Sequence, residues 1–515
     1  MAKPFNFGEI KLTAGRDTSP AIPEAETPFR IALIGDFSGR ANRGVCEPES
    51  IASRRVTLFD RDNFDETLAK LGVEIQFPLG KSGTSRFRFA ELDDFHPDRI
   101  FERALIFQRL REVRARLKDP ATFPNTAKEF GLVYNQTAAS ESSRPEPSSP
   151  TAASVSQLAS GSLLDQMIEQ TEAHPSDDRP RRADELQEFV RRVSEPHLVG
   201  AADPRQAEAV AVIDRATSAQ MRALLHTPDF QALEAAWRAV FLLVRRIETS
   251  SQLKLYIIDI SKPELARDLG AASDLRATGA YRLLVEKSVG TPGGEPWAVI
   301  AGNYTFGAGR EDAELLARLA KIASAAGAAF VAAASPRLVG CESFAASPQA
   351  RDWRGLHDPD AVEVWTALRG LPEAKSVGLA LPRFLLRLPY GRKTAPVEAF
   401  DFEEMPDGPS HEDYLWGNPA FACALLLAQS FAEYGWEMGS SLISEIDGLP
   451  LHVYEYKGES GLKPCAEALL TEDSAERILE SGLMPLVSLK GKDSVRLVRF
   501  QSVADPLCRL VGRWS

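Results

Sequence analysis

The 515-residue sequence has no run of 18 apolar residues. The nearest approach, residues 420–431, is short and contains Gln429 and Ser430, so it is expected to be a core helix and not a membrane span. Cysteine is scarce. Cys46, Cys341, Cys423, Cys465 and Cys508 are scattered, odd in number and never arranged as Cys-x-x-Cys. That spacing argues against a disulfide framework and a structural zinc site, and fits reduced thiols in a cytoplasmic compartment. The opening Met-Ala-Lys-Pro-Phe-Asn-Phe has no apolar region of the kind a signal peptide needs. Positive charge is in deficit: 60 Lys and Arg against 72 Asp and Glu leave a net charge of −12. A nucleic-acid binder usually shows the reverse.

Catalytic patterns are also missing. His96, His174, His197, His226, His357, His411 and His452 form no His-Glu-x-x-His or other metal spacing, and no Gly-x-Ser-x-Gly is present. Glu403-Glu404 and Asp93-Asp94 are adjacent acids, which point to opposite faces of an extended chain. They are expected to be solvated or paired with arginine. No enzyme, cofactor or metal is therefore expected.

What is present is a globular chain, 44% hydrophobic and 26% charged, long enough for roughly two to four domains. Residues 1–28 alternate weakly at Phe5, Phe7, Ile10 and Leu12, then turn polar; they read either as an extended arm with one short strand or as a disordered tail. Residues 29–34 are an apolar β-run leading into Gly35-Asp36-Phe37-Ser38-Gly39-Arg40. A strand entering such a turn could cradle a phosphate, but the glycine spacing of a phosphate loop is lacking. A helix is expected over residues 97–117, from Ile100, Leu105, Phe107, Leu110, Val113 and Leu117.

Residues 136–160 form a linker. Ser, Ala, Thr and Pro make up 18 of these 25 residues, too little apolar surface to offset the entropy of ordering. Directly afterwards, Ser162 caps a short helix on which Leu163, Leu164, Met167 and Ile168 form one apolar stripe. So short a helix must dock on something, either its own protein or a partner. Beyond it, strands and helices alternate: a strongly amphipathic helix from Pro228 to Val244, strands over residues 253–260 and 328–334, and helices over 311–326 and 420–435. The alternation predicts an α/β (mixed α+β) fold with largely covered strands.

The unusual stretch is Leu381-Pro382-Arg383-Phe384-Leu385-Leu386-Arg387-Leu388-Pro389-Tyr390-Gly391-Arg392, in which arginines interrupt an apolar run. A strand is expected from Phe384 to Leu388, stopped by Pro389, which has no N–H to donate. Arg383, Arg387, Arg392 and Lys393 are expected to pair internally ahead of meeting an acidic partner.

This stretch, followed by Phe400-Asp401-Phe402-Glu403-Glu404 and Tyr414-Leu415-Trp416-Gly417-Asn418, resembles the large sheath subunit of the type VI secretion system, the TssC (VipB, ImpC) family. Residues 228–238 are similar to a further signature of that family. Residues 28–118, with Phe29-Arg30-Ile31-Ala32-Leu33-Ile34-Gly35-Asp36, Arg61-Asp62-Asn63-Phe64-Asp65 and Leu92-Asp93-Asp94-Phe95-His96-Pro97, resemble the small subunit, TssB (VipA). The resemblance implies a fusion with a sheath-type multidomain fold. An arm (1–28) precedes a TssB-like domain (29–135), the linker (136–160), a docking helix (161–180) and a TssC-like domain (181–515).

It also implies a function. The chain would polymerise into a helical tube around an Hcp-like inner tube in the bacterial cytoplasm. It would contract to drive effector delivery and contact baseplate proteins, with no nucleic acid and no membrane insertion. Large subunits carry a docking helix for the AAA+ ATPase ClpV, which corresponds here to Leu163, Leu164, Met167 and Ile168. The arm residues Phe5, Phe7, Ile10 and Leu12 are the candidate inter-subunit strand. Large subunits usually continue for several tens of residues past the point matched by Gly482–Leu486, so either canonical polymerisation fails here or it is achieved with fewer contacts. The alternative is a non-contractile sheath-like accessory or adaptor of the apparatus.

Overall fold

The computed structural model describes residues 7, 10, 23–78, 84–131 and 205–515. Residues 23–131 supply β1 (Phe29–Gly35), β2 (Thr57–Phe59), α1 (Phe64–Leu71), the antiparallel pair β3 (Glu74–Pro78) and β4 (Thr84–Arg88), then α2 (Pro97–Arg103), α3 (Gln108–Lys118) and α4 (Phe123–Glu129). After residue 205 come α5 (Arg205–Leu225), α6 (Pro228–Arg246), β5 (Leu253–Asp259), α7 (Lys262–Gly270), β6 (Val299–Phe306), α8 (Arg310–Ala326) and β7 (Ala329–Ala334). The chain continues through α9 (Pro359–Arg369), β8 (Val377–Leu381), β9 (Phe384–Leu385), β10 (Trp416–Gly417), α10 (Pro419–Tyr434) and β11 (Glu445–Ile446). It ends with β12 (His452–Tyr456), β13 (Glu459–Lys463), α11 (Glu472–Glu480), β14 (Met484–Ser488) and β15 (Val495–Leu497).

Nine strands make one sheet in the order β11-β15-β14-β8-β7-β6-β1-β5-β2. From β14 to β5 all neighbours are parallel; β2, β15 and β11 close the two ends antiparallel. Parallel strands carry helices on both faces, so they read as continuous apolar runs. Ala329–Ala334 and Val377–Leu381 are buried along their whole length. On β1 the period of two is visible: Ile31 and Leu33 enter one core, with α6 and α10, while Ala32 and Ile34 enter the other, with α7, α8 and α9.

β1 lies between β5 and β6, with Ile31 opposite Leu255 on one side and Val299 on the other. The sheet is therefore continuous across a separation of more than 200 residues in sequence. Residues 23–131 and 205–515 share it, and they share the first core.

α10 answers to its sequence. Asn418 accepts from the Ala420 N–H, Pro419 occupies the first turn, and residues 419–428 are buried without interruption. A helix apolar all round belongs in a core. The single helix expected over residues 97–117 is broken. Ala104 is extended, separating α2 from a 3₁₀ turn and α3. Arg111 Nη1 takes the freed carbonyls of Phe101 and Ala104, and the bend keeps Ile100, Phe101, Ile106, Phe107 and Leu110 all buried.

Candidate assembly site

The stretch from Leu381 to Arg392 is strand for only two residues. Phe384 and Leu385 pair with Gly417 and Trp416, and the ladder then stops three residues short of Leu388. Arg387 is the reason. Its guanidinium turns inward to Glu234 on α6 (Nε–Oε1 2.8 Å) and to Glu404 (Nη1–Oε2 2.7 Å), both carboxylates being buried. Arg238, one turn after Glu234, also pairs with Glu234 and donates to the Tyr390 hydroxyl at 2.9 Å. Two cations thus meet two anions, and the Tyr390 N–H donates to Glu404 Oε2 at 2.7 Å. His226 Nε2 lies 3.4 Å from Glu404, and its Nδ1 lies 3.3 Å from Asp413.

Burial by itself would raise the Glu404 carboxyl. Arg387, with the contacts from His226 and the Tyr390 N–H, overcomes it and holds the group at about 2. Burial pushes the Tyr390 hydroxyl up to about 12. Such a knot is worth little as net stability compared with apolar packing, but breaking it strands a buried charge. It therefore fixes how residues 383–404 sit on α6.

Internal pairing is what the structure shows for the other cations of this stretch. Arg383 pairs with Glu467, Arg392 with Asp401 and Lys393 with Glu455, the last two on the surface. Each pair of adjacent acids divides into one buried and one exposed member, although Asp93 and Asp94 lie in a 3₁₀ turn and not in an extended strand. Glu404 is buried and paired, while Glu403 is exposed and accepts from the Arg392 N–H; Asp94 is buried against Arg103, while Asp93 is not.

A second cluster roots a hairpin. β12 and β13 pair from His452↔Lys463 to Tyr456↔Glu459, closed by Lys457 and Gly458, both at positive φ. At the root, Tyr414 OH lies 2.7 Å from His452 Nδ1, and Lys463 Nζ lies 3.0 Å from His411 Nδ1 and donates to the Glu467 carbonyl at 3.1 Å. Glu467 would be raised by burial; His411 and Arg383 hold it at about 2. Beyond this root no hairpin residue is fully buried.

A seam joins the N-terminal and C-terminal segments. Arg40 and Arg54 reach the buried Glu264 at 2.7 and 2.8 Å; burial would raise its carboxyl, and Arg40, with the backbone N–H groups of Glu47 and Ser261, holds it at about 2. Arg114 pairs with Asp214, Trp237 Nε1 donates to the Phe37 carbonyl at 2.8 Å, and Asp98 accepts from the Glu398 and Ala399 N–H groups. The turn after β1 is not a phosphate cradle. The Phe37 and Ser38 N–H groups donate to Asp259, and those of Arg40 and Ala41 to Asp36. Two carboxylates occupy the donors that an anion would need. The cleft of about 280 Å³ beside it is lined by Asp36, Asn42, Lys262 and Asn303, and Lys262 is already bonded to Asp312 and the Thr305 carbonyl.

Among the described residues no group of three His, Cys, Asp or Glu side chains is placed to hold a metal, and no helix is long and apolar enough to cross a membrane. Phe7 and Ile10 are partly buried against the second core. Phe5 and Leu12, and the stripe of Leu163, Leu164, Met167 and Ile168, lie outside the described residues. Glu234 and Arg238 fall in the 228–238 stretch that resembles a family signature, and Glu264 in a helix start with capping chemistry, a cap that is formed with Ser261. Their pairing with Arg387, Tyr390 and Arg40 was not expected, because periodicity does not say which distant group a charged helix residue meets.

Residues 207–504 match the VipB family model, described as EvpB/VC_A0108, tail sheath N-terminal domain. Residues 9–132 match the type VI secretion system VipA model. The chain is 36% identical over 305 residues to the type VI secretion system sheath protein TssC1 of Pseudomonas aeruginosa, which covers 58% of this chain. The matched region spans 61% of that relative's length.

Proposed function

The chain belongs to the type VI secretion tail-sheath family, with VipA and VipB segments in one polypeptide, and from that premise we propose that it is a structural subunit of a contractile sheath. The observation that carries this reading is β1. A strand of the VipA-matched segment fills the middle of a sheet otherwise built mostly by the VipB-matched segment. One chain thus pairs the two sheath segments, and it assembles as a single repeating unit.

Copies stack through heterologous contacts, which extend into a helical tube when they do not close into a ring. The tube surrounds an Hcp-like inner tube in the cytoplasm and is seated on baseplate proteins. Neighbours are linked by strand addition, with residues 5–12 as donor. Contraction is a rigid-body repacking of subunits, driven by the metastability of the assembled state, so the chain itself turns over no nucleotide. A ClpV-like AAA+ ATPase recycles the contracted sheath by binding the helix that bears Leu163, Leu164, Met167 and Ile168.

Negative-stain microscopy of the purified full-length chain tests the proposal. Regular hollow tubes, alone or on an added inner tube, are the expected result. Monomers or small rings under both conditions would replace the sheath reading with that of an accessory or adaptor of the apparatus.

A further inference from the structure

His96 stands where the VipA-matched and VipB-matched segments touch. It is the N-cap of α2, and its Nδ1 accepts the Asp98 N–H at 3.2 Å. A ring nitrogen that accepts carries no proton, so the imidazole is neutral in this arrangement, with its proton on Nε2. The ring meets that of Tyr390 edge-on, with centroids 4.9 Å apart. Tyr390 belongs to the buried knot: Arg387 lies over its ring at 4.2 Å and Arg238 donates to its hydroxyl. Two further residues of α2 extend the contact. Asp98 accepts from the Glu398 and Ala399 N–H groups, and the Phe101 ring lies 4.9 Å from that of Phe400.

The surroundings of the ring oppose a proton on balance. Burial weighs most against one; Asp98 favours it, Arg238 opposes it, Asp93 favours it and Arg387 opposes it. The sum pushes the imidazole below its ordinary 6.5. Glu234 and Glu404 are already matched to the two arginines. A proton on Nδ1 changes the contacts as well as the charge. It removes the acceptor of the Asp98 N–H, so α2 loses its cap. It also turns Nδ1 into a donor, 3.5 Å from Asp98 Oδ2, on the carboxylate that now holds residues 398 and 399.

We propose that His96 is a proton-operated latch on this seam, which holds α2 against Tyr390 and residues 398–400 when neutral and lets it come away when protonated. The sign follows from linkage. Released, the imidazole takes up its proton near its ordinary 6.5; latched, it does so only at lower pH. Closure is therefore fully favoured above pH 6.5 and weakens as pH falls below it. For one group, the opening equilibrium rises by at most about tenfold between pH 7.5 and 5.5. β1 stays between β5 and β6, so a fall in pH loosens one contact between the two segments while the sheet keeps them together. The latch is internal to one chain and stands whether or not copies assemble.

Hydrogen exchange of the full-length chain, read by mass spectrometry and corrected for the intrinsic effect of pH, tests it. Between pH 7.5 and 5.5, peptides covering residues 97–104 and 396–402 are expected to lose protection several-fold, and the peptide covering β1 none. His96→Asn supplies a side chain that caps helices and takes no proton, so its α2 protection is expected to be flat over the same range, whatever its level. His357→Asn, at an exposed histidine, should keep the parent's fall. Unchanged protection in the parent overturns the proposal. So does an equal loss in β1, which would mark general acid unfolding, or a His96→Asn chain that loses protection as the parent does.

Discussion

Arg387 shows how much one side chain can fix. Among the described residues it is the one cation that bridges Glu234 and Glu404, and both carboxylates are buried. Arg387→Ala leaves Glu404 without its principal counter-charge, and a loss of about 3–5 kcal/mol is expected from urea unfolding. Arg392→Ala, on the surface, is expected to fall within about 0.5 kcal/mol of the parent. Equal effects would show that the knot does not hold the segment. The same chemistry sets the acid limit. Glu264, Glu404 and Glu467 are held at about 2, below their ordinary 4.5, so each binds its proton more weakly when folded than when unfolded. Each adds stability above pH 4.5 and loses it as pH falls towards 2, on the order of 3 kcal/mol apiece. Unfolding free energy measured from pH 5 to 2 should therefore fall steeply. Glu404→Gln should be less stable at neutral pH yet show a flatter acid limb; an unchanged limb would remove Glu404 from the account.

At the scale of elements, the stretch with Leu163, Leu164, Met167 and Ile168, expected from sequence to be a helix, and residues 5–12 are the two pieces whose proposed roles lie outside their own chain. Leu164→Asp puts a charge in the apolar stripe, and loss of binding to a ClpV-like ATPase in a pull-down is expected while the far-UV spectrum stays the same. Unchanged capture would rule the helix out as the docking element. Phe7 and Ile10 already rest partly on the second core. Deleting residues 1–12 should abolish sedimenting filaments without loss of secondary structure. Filaments of normal length from the deleted chain would show that strand donation happens elsewhere.

On the whole-molecule scale, the central fact is that β1 completes a sheet belonging mostly to the other end of the chain. Residues 161–515 expressed alone would leave β5 and β6 facing a vacant strand position, with Leu33 and Ile34 missing from two cores. Open edges of that length aggregate. The fragment should be insoluble alone and become soluble when co-expressed with residues 1–160, the two purifying together. A soluble, monomeric fragment 161–515 would show that the segments are separable bodies.

Much of this was legible in the residues. The burial of α10, the alternation of strands and helices and the internal pairing of Arg383 and Arg387 follow from local composition and charge, because an apolar run must be covered and a buried charge must be matched. The family could be read from short motifs for the same reason: they are the places where backbone and side chain leave little choice. What the chain could not disclose along its length is which distant residue supplies the match. Glu234 and Glu264 look like ordinary helix residues until Arg387 and Arg40 arrive from about 150 and 220 positions away. The break at Ala104, the early end of β9 and the filling of the turn after β1 by Asp259 were likewise decided in three dimensions. Local propensity was outweighed there by groups that meet only when the sheet closes around β1.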